Sequence, residues 1–121
     1  RFCKVLVIMF LENTVMMLET AQMLPLAEEA TRLMKALAHP ERLMICCQLR
    51  DGELSVGEIE SMLDIPQPRL SRELAKLRAD DLVGTRRQSK SIYYHLKDDR
   101  IRAIVDTLCA VMLGQTAGHG Q

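Results

Sequence analysis

Residues 55–96 constrain the fold more than any other stretch. Ser55-Val56-Gly57-Glu58 is a capping box: the Ser55 hydroxyl can accept from the Glu58 amide, while the Glu58 side chain reaches back to the Ser55 amide. Val56, Ile59 and Leu63 follow at i, i+3 and i+7, the apolar stripe of a short helix. Asp64-Ile65-Pro66-Gln67 interrupts it. Pro68 suits the first position of a second helix, where a missing N–H costs nothing. That helix is expected to bury Leu70, Leu74 and Leu77 and to present Arg69, Arg72, Glu73 and Lys76 on its other side. Two short helices joined by a tight turn, the second with a basic face, form the helix-turn-helix arrangement that enters a DNA major groove.

The next segment fits that reading. Residues 82–87 and 91–96 are β-prone runs around the polar turn Gln88-Ser89-Lys90. Ile92, Tyr94 and Leu96 alternate with Tyr93, His95 and Lys97, so one face can pack while the other is wet. Arg86, Arg87 and Lys90 gather near the tip, which makes the hairpin a basic wing. The competing reading is a small helical domain with a solvated charged hairpin. Cap, turn, basic helix and basic hairpin in this order favour the wing.

Charge must be read by position. The chain balances 16 Lys and Arg against 16 Asp and Glu, and a neutral total argues against nucleic-acid binding. Residues 66–102, however, hold ten basic against five acidic side chains, while residues 1–65 hold six against ten. The positive charge is concentrated where the reading head is expected. A length of 121 residues suits one domain, and scarce aromatics favour a helical core packed by Leu and Met. The four cysteines, Cys3, Cys46, Cys47 and Cys109, have neither metal-finger spacing nor the pattern of a secreted disulfide framework. A cytoplasmic protein with free thiols is expected, with no cofactor and no membrane partner.

Elsewhere the pattern is helical. Residues 1–18 read as an N-terminal extension: the seven-residue apolar run at 5–11 is too short to span a bilayer and lacks a signal-type cleavage site. Residues 19–38 form a first helix with its entry near Pro25, the stripe Leu26, Ala30, Leu33, Met34 and Leu37, and a Glu28–Arg32 pair at i, i+4. His39 and Pro40 break that helix and start the next. Residues 40–50 are apolar around most of the circumference, which predicts a buried helix. Asp98 or Asp99 caps a last helix striped by Ile101, Ile104, Val105, Leu108, Cys109 and Met112. Residues 114–121, with three glycines, read as a flexible tail. The expected architecture is mainly α with a small β-hairpin, a winged helix-turn-helix domain spanning 19–113. The long apolar faces of the first and last helices predict a homodimer, which also sets two recognition helices about one DNA turn apart.

Leu33-Met34-Lys35-Ala36-Leu37-Ala38-His39-Pro40-Glu41-Arg42-Leu43 resembles the opening of the ArsR-type bacterial repressors, and residues 54–59, 67–77 and 82–94 continue the likeness. It covers about residues 20–113. The resemblance implies a dimeric winged helix that binds operator DNA until an inducer weakens its hold. Arsenic and cadmium sensors of the family carry a Cys-x-Cys pair where this chain has Leu54-Ser55-Val56-Gly57. Zinc and nickel sensors place Asp and His ligands on the last helix, and no His lies between Asp98 and Gly114. Neither metal site is expected. Arg42-Leu43-Met44-Ile45-Cys46-Cys47 is instead similar to the sulfide- and oxidant-responsive branch, the SqrR- and BigR-like proteins. That likeness implies that Cys47 pairs with a thiol near the end of the last helix, here Cys109, although the usual partner position falls nearer Leu113. Cys46, about 100° around the helix, is the alternative to Cys47.

These readings define the candidate residues. Arg69, Ser71 and Arg72 are expected at base edges, Gln67 near the helix start and phosphate, Lys76 on the same basic face, and Arg86, Arg87 and Lys90 on phosphates or in the minor groove. Cys47 and Cys109 are the redox pair, bridged by a disulfide or by reactive sulfur. Cysteines that merely pack would leave a constitutive DNA-binding regulator, and Cys46, Cys47 and Cys109 together could serve a metal or metalloid sensor. An enzyme with a Cys nucleophile and His39 or His95 as base lacks any visible catalytic constellation.

Overall fold

Five helices and three strands follow one another through residues 20–114, the residues that the computed structural model of the chain describes. The expected extension at 1–18, Cys3, and the tail beyond Gly114 lie outside them. Helix α1 (Thr20–Leu37) belongs up to Lys35 to one compact unit, and the chain from Ala36 onward forms a second.

Pro25 lies inside α1 rather than at its entry, so the helix forgoes one backbone donor there and still continues. Arg32 pairs with Glu29 at 2.8 Å instead of the expected Glu28, one position nearer along the helix face. Of the anticipated stripe, Leu33 and Leu37 are buried, but Leu26 and Met34 stand about 60% exposed, as does Leu24.

The second unit builds the expected domain. Helix α2 (Pro40–Leu49) is capped by His39, whose Nδ1 accepts from the Glu41 amide at 3.2 Å. Its buried residues are Ile45, Cys46 and Leu49, whereas Met44 is exposed. The expectation of an all-round buried helix is therefore corrected. Where nearly every position is apolar, periodicity no longer says which side faces inward. Strand β1 (Leu54–Ser55) leads into helix α3 (Val56–Leu63), and both arms of the Ser55/Glu58 capping box form, at 3.1 and 2.8 Å. Asp64 ends α3 in the left-handed conformation, φ 57, and turns the adjacent Ile65 into the core.

Helix α4 (Gln67–Ala79) starts after Pro66, which places Pro68 at its second residue. Leu70, Leu74 and Leu77 are buried against the domain as the spacing requires. Strands β2 (Val83–Gln88) and β3 (Ser91–Leu96) pair antiparallel from Val83↔Leu96 to Gln88↔Ser91, closing on the two-residue loop Ser89-Lys90. β1 adds to the far edge of β3 through Leu54↔Tyr94 and Ser55↔Tyr93, giving a sheet of order β1-β3-β2. Ile92 through His95 are all half-buried, so the strict dry/wet alternation expected for β3 is softened by coverage on both faces. Gly84 meets His95 across the hairpin, where a Cβ would lie 2.8 Å from Nε2.

Helix α5 (Asp99–Met112) is capped by Asp98, which accepts from the Arg100 amide at 2.9 Å. Ile101 and Val105 complete the core with Ile45, Leu49, Ile59, Leu82 and Val83. Full burial of such side chains contributes about 1.5–3 kcal/mol each. The outer end of α5 stays bare: Val111, Met112 and Leu113 are 52%, 78% and 68% exposed. No helix among the described residues is long and apolar enough to cross a membrane.

Candidate nucleic-acid interface and thiol pair

Gln67, Arg69, Ser71, Arg72 and Lys76 are all exposed on α4, and Arg86, Arg87 and Lys90 are exposed on the hairpin. They divide by what already holds them. Arg72, Arg87 and Lys90 have no side-chain hydrogen bond or ion pair among the described residues. The Ser71 hydroxyl donates to Gln67 Oε1 at 2.9 Å, so these two act as a pair. Arg69 Nε donates to both Glu41 carboxylate oxygens, at 2.9 and 2.8 Å. Arg86 is engaged on every side: Nε and Nη2 reach Glu53, Nη1 donates to Gln88 Oε1 at 2.7 Å, and the guanidinium lies 4.9 Å from the Tyr93 ring centroid. Its hydrogen bond to Glu53, followed by its charge, lowers the pKa of that carboxyl.

Glu73 departs from the expected basic face. It is 4% exposed and sits among the buried leucines, because Leu70, Glu73, Leu74 and Leu77 share the i, i+3, i+4, i+7 stripe. Arg42 Nη1 donates to it at 2.9 Å, with His39 Nε2 at 4.0 Å and Lys76 Nζ at 3.8 Å. Burial pushes the Glu73 carboxyl upward, but the Arg42 hydrogen bond and the surrounding positive charge outweigh it, and its pKa is lowered. Arg42 Nε also donates to the Ala36 carbonyl at 2.7 Å, which ties the start of α2 both to the preceding chain and to α4.

At the other end of α2, Cys47 Sγ lies 3.6 Å from Cys109 Sγ on α5, within one chain. Both are half-buried free thiols. Arg50 Nη1 meets Asp106 at 3.6 Å, and Arg102 Nε donates to the Arg50 carbonyl at 3.1 Å, so charged contacts frame the pair. Burial pushes the Cys47 thiol up to about 11, with its hydrogen bond to Cys109, the Cys109 charge and Asp106 adding and Arg50 opposing. Cys46 is fully buried, and desolvation, followed by the neighbouring Cys47, raises it to about 12. Cys46 is not brought to Cys109. Leu113, the position nearer to the family's usual partner, lies beyond α5 and is mostly exposed.

Among the described residues, the three cysteines do not converge as one metal-donor set. One trio does: donor atoms of His39, Glu41 and Glu73 lie within 4.8 Å of one another. Its carboxylates are held by Arg69, Arg42 and Lys76, three cations that an incoming metal ion would have to face.

Helices α3 and α4 with the hairpin behind them are a winged helix-turn-helix, with α4 as the recognition helix. Residues 39–85 match the model of the bacterial regulatory protein, arsR family. The biofilm growth-associated repressor of Agrobacterium fabrum is 48% identical over 85 residues, covering 70% of this chain and 73% of that protein. The transcriptional activator HlyU of Vibrio cholerae is 44% identical over 80 residues, 66% of this chain and 74% of its own. The crystal structure of the transcriptional repressor BigR from Xylella fastidiosa superposes with a TM-score of 0.72 at 40% identity, covering 78% of this chain and 96% of that one. The chain belongs to the arsR family of bacterial regulatory proteins.

Proposed function

We propose that this chain is a homodimeric transcriptional repressor whose hold on double-stranded operator DNA is governed by Cys47 and Cys109. With both thiols reduced it binds; joined by an oxidant or by reactive sulfur species, it releases. The observation that carries this reading is the 3.6 Å approach of two free sulfurs from different helices. With peroxide, one thiolate takes an oxygen to become a sulfenic acid and the O–O bond breaks, releasing hydroxide. The second thiolate then displaces that oxygen as another hydroxide and the disulfide closes, so the two thiols lose two electrons to the peroxide. A persulfide donor acts instead by transferring its outer sulfur to one thiolate and leaving as its own thiol; the second thiolate then attacks the inner sulfur of that persulfide, expels hydrosulfide and closes the disulfide.

The repressor direction is supported by the relatives named as repressors, and the response by the presence among similar structures of one described as reduced HlyU. Dimerisation is supported by the apolar side chains bared on α1, Leu24, Leu26 and Met34, and at the end of α5. It acts in the cytoplasm, where a bacterial operator lies. DNA is read by Arg69, Ser71 and Arg72, helped by Gln67 and Lys76, with Arg86, Arg87 and Lys90 at the backbone.

The test is a gel shift on operator DNA before and after treatment with peroxide or an organic persulfide donor. The parent should lose about a hundredfold in affinity, roughly 2.8 kcal/mol of coupling. Cys47→Ser and Cys109→Ser should bind DNA in both conditions. Release by both variants as readily as by the parent would return the cysteines to a packing role and leave a constitutive regulator.

A further inference from the structure

Two of the arginines on the DNA-facing elements are already neutralised by carboxylates that belong to neither α4 nor the hairpin. Arg69 opens the recognition helix and is bound through Nε by Glu41 of α2, whose side chain is only 19% exposed. Arg86 lies in the hairpin and is held by Glu53, in the loop before β1. Neither acid belongs to the buried core, and both arginines are exposed: Glu53 lies at the surface and Glu41 is half-buried at the start of α2. Such pairs add little to stability. Their effect falls on whatever else the arginines could bind.

We propose that Glu41 and Glu53 are specificity-determining residues, internal competitors that keep Arg69 and Arg86 from binding DNA phosphate indiscriminately. An arginine bound to a carboxylate must give up that partner to take a phosphate, and the released carboxylate then stands beside a polyanion. Non-specific binding comes almost wholly from phosphate neutralisation, so it loses most from this competition. A correctly placed operator offers base edges and shape in addition, and recovers the loss. Arg72, Arg87 and Lys90, which have no such partner, supply the unconditional attraction. The inference rests on the DNA-binding reading above, and it assigns opposite roles to two sets of cations on the same surface.

The experiment compares parent, Glu41→Gln, Glu53→Gln and the double variant on operator DNA and on a random duplex, across a salt series under reducing conditions. Glutamine keeps the size of each side chain and removes its charge. On the random duplex, each substitution should tighten binding roughly two- to fivefold, the range spanned by an exposed ion pair. The slope of log affinity against log salt should steepen by about 0.9 per carboxylate removed. Operator affinity should change less, so the ratio of specific to non-specific affinity falls. If the parent binds neither duplex, the DNA-binding reading itself fails. If the parent binds with a normal salt slope and the variants keep its random-duplex affinity and slope, the competition is refuted while the reading survives. Selective loss of operator affinity in Glu41→Gln would also overturn the proposal, making Glu41 a support that aims Arg69.

Discussion

Removing Glu73 should damage the protein more than removing any other charged group described above. The side chains of Glu73 and Arg42 are 5% and 14% exposed, and they meet at 2.9 Å. Glu73→Ala deletes one partner of a buried pair, a change that typically costs about 3–5 kcal/mol because the remaining charge stays buried and uncompensated. Arg42 retains its bond to the Ala36 carbonyl and a little solvent access, which places the expected loss at the lower end, about 3 kcal/mol. In a domain of this size that loss corresponds to a fall in Tm of about 12 °C or more. Urea denaturation of parent, Glu73→Leu, Arg42→Met and the double variant Arg42→Met/Glu73→Leu supplies a double-mutant cycle, with Glu73→Ala measured alongside. The double apolar variant should regain most of the loss, since well-packed apolar replacements of buried ion pairs are often neutral. pH gives a second check. The folded-state pKa of Glu73 lies below its ordinary 4.5, so its contribution is present above that value and is lost as acid carries the pH down through the folded pKa. Glu73→Gln should flatten that acid limb. A Glu73→Ala protein within about 1 kcal/mol of the parent, with an unchanged acid limb, would refute the assignment of a structural buried pair.

Arg72→Ala should lower operator affinity by about 1–3 kcal/mol and relax base preference, the scale of one lost bidentate base contact, whereas Arg87→Ala/Lys90→Ala should weaken all sequences alike and reduce the salt slope by about 0.9 per charge. Footprinting and salt titration separate the two, and unchanged base preference in the first or the parent's slope in the second would remove those residues from the interface. Cys46 is raised from 9.0 to about 12, so the unfolded chain releases this proton first and stability should fall as pH rises from about 9 towards 12. Cys46→Val should show a shallower alkaline decline in urea midpoint, and parallel curves would contradict a buried neutral thiol.

The local signals in the sequence were strong wherever one physical rule governed the outcome. The Ser55 box, the α4 leucines and the Asp98 cap follow from capping and periodicity alone, and each forms. What escaped was set by tertiary context. β1 is two residues long, too short for any strand pattern, and exists because β3 offers it an edge. Ile65 looked like a turn residue but is almost fully buried. Glu73 carried a readable signal, its i+3 spacing from Leu70, yet its charge suggested solvent until Arg42 supplied a partner 31 residues away. The ties from Arg69 to Glu41 and from Arg86 to Glu53 left no trace in the sequence, since they depend on side chains brought together from different elements. The meeting of Cys47 and Cys109 was suggested by family likeness, because stripes on two helices do not specify which residues face each other.

The geometry of the thiol pair bears on how the proposed switch closes and on what it moves. Burial pushes the Cys47 thiol above its ordinary range, which disfavours the thiolate that an oxidant needs. Its position offsets this in a second step: a sulfur held 3.6 Å from an activated partner reacts without the cost of an encounter. Once either sulfur of the pair is modified, closure needs little motion, and Cys46, fully buried, is not placed to take part. The consequence then falls on α2. This ten-residue helix carries Cys47 near its end and Arg42 in its first turn, and Arg42 grips the buried Glu73 of the recognition helix. A bond to α5 that shifts or tilts α2 must therefore disturb the seating of α4, since the Arg42–Glu73 pair is too costly to break. A hundredfold loss of DNA affinity requires about 2.8 kcal/mol, the same scale as the loss on removing one partner of that buried pair. The buried pair is thus strong enough to carry a shift of α2 to the recognition helix.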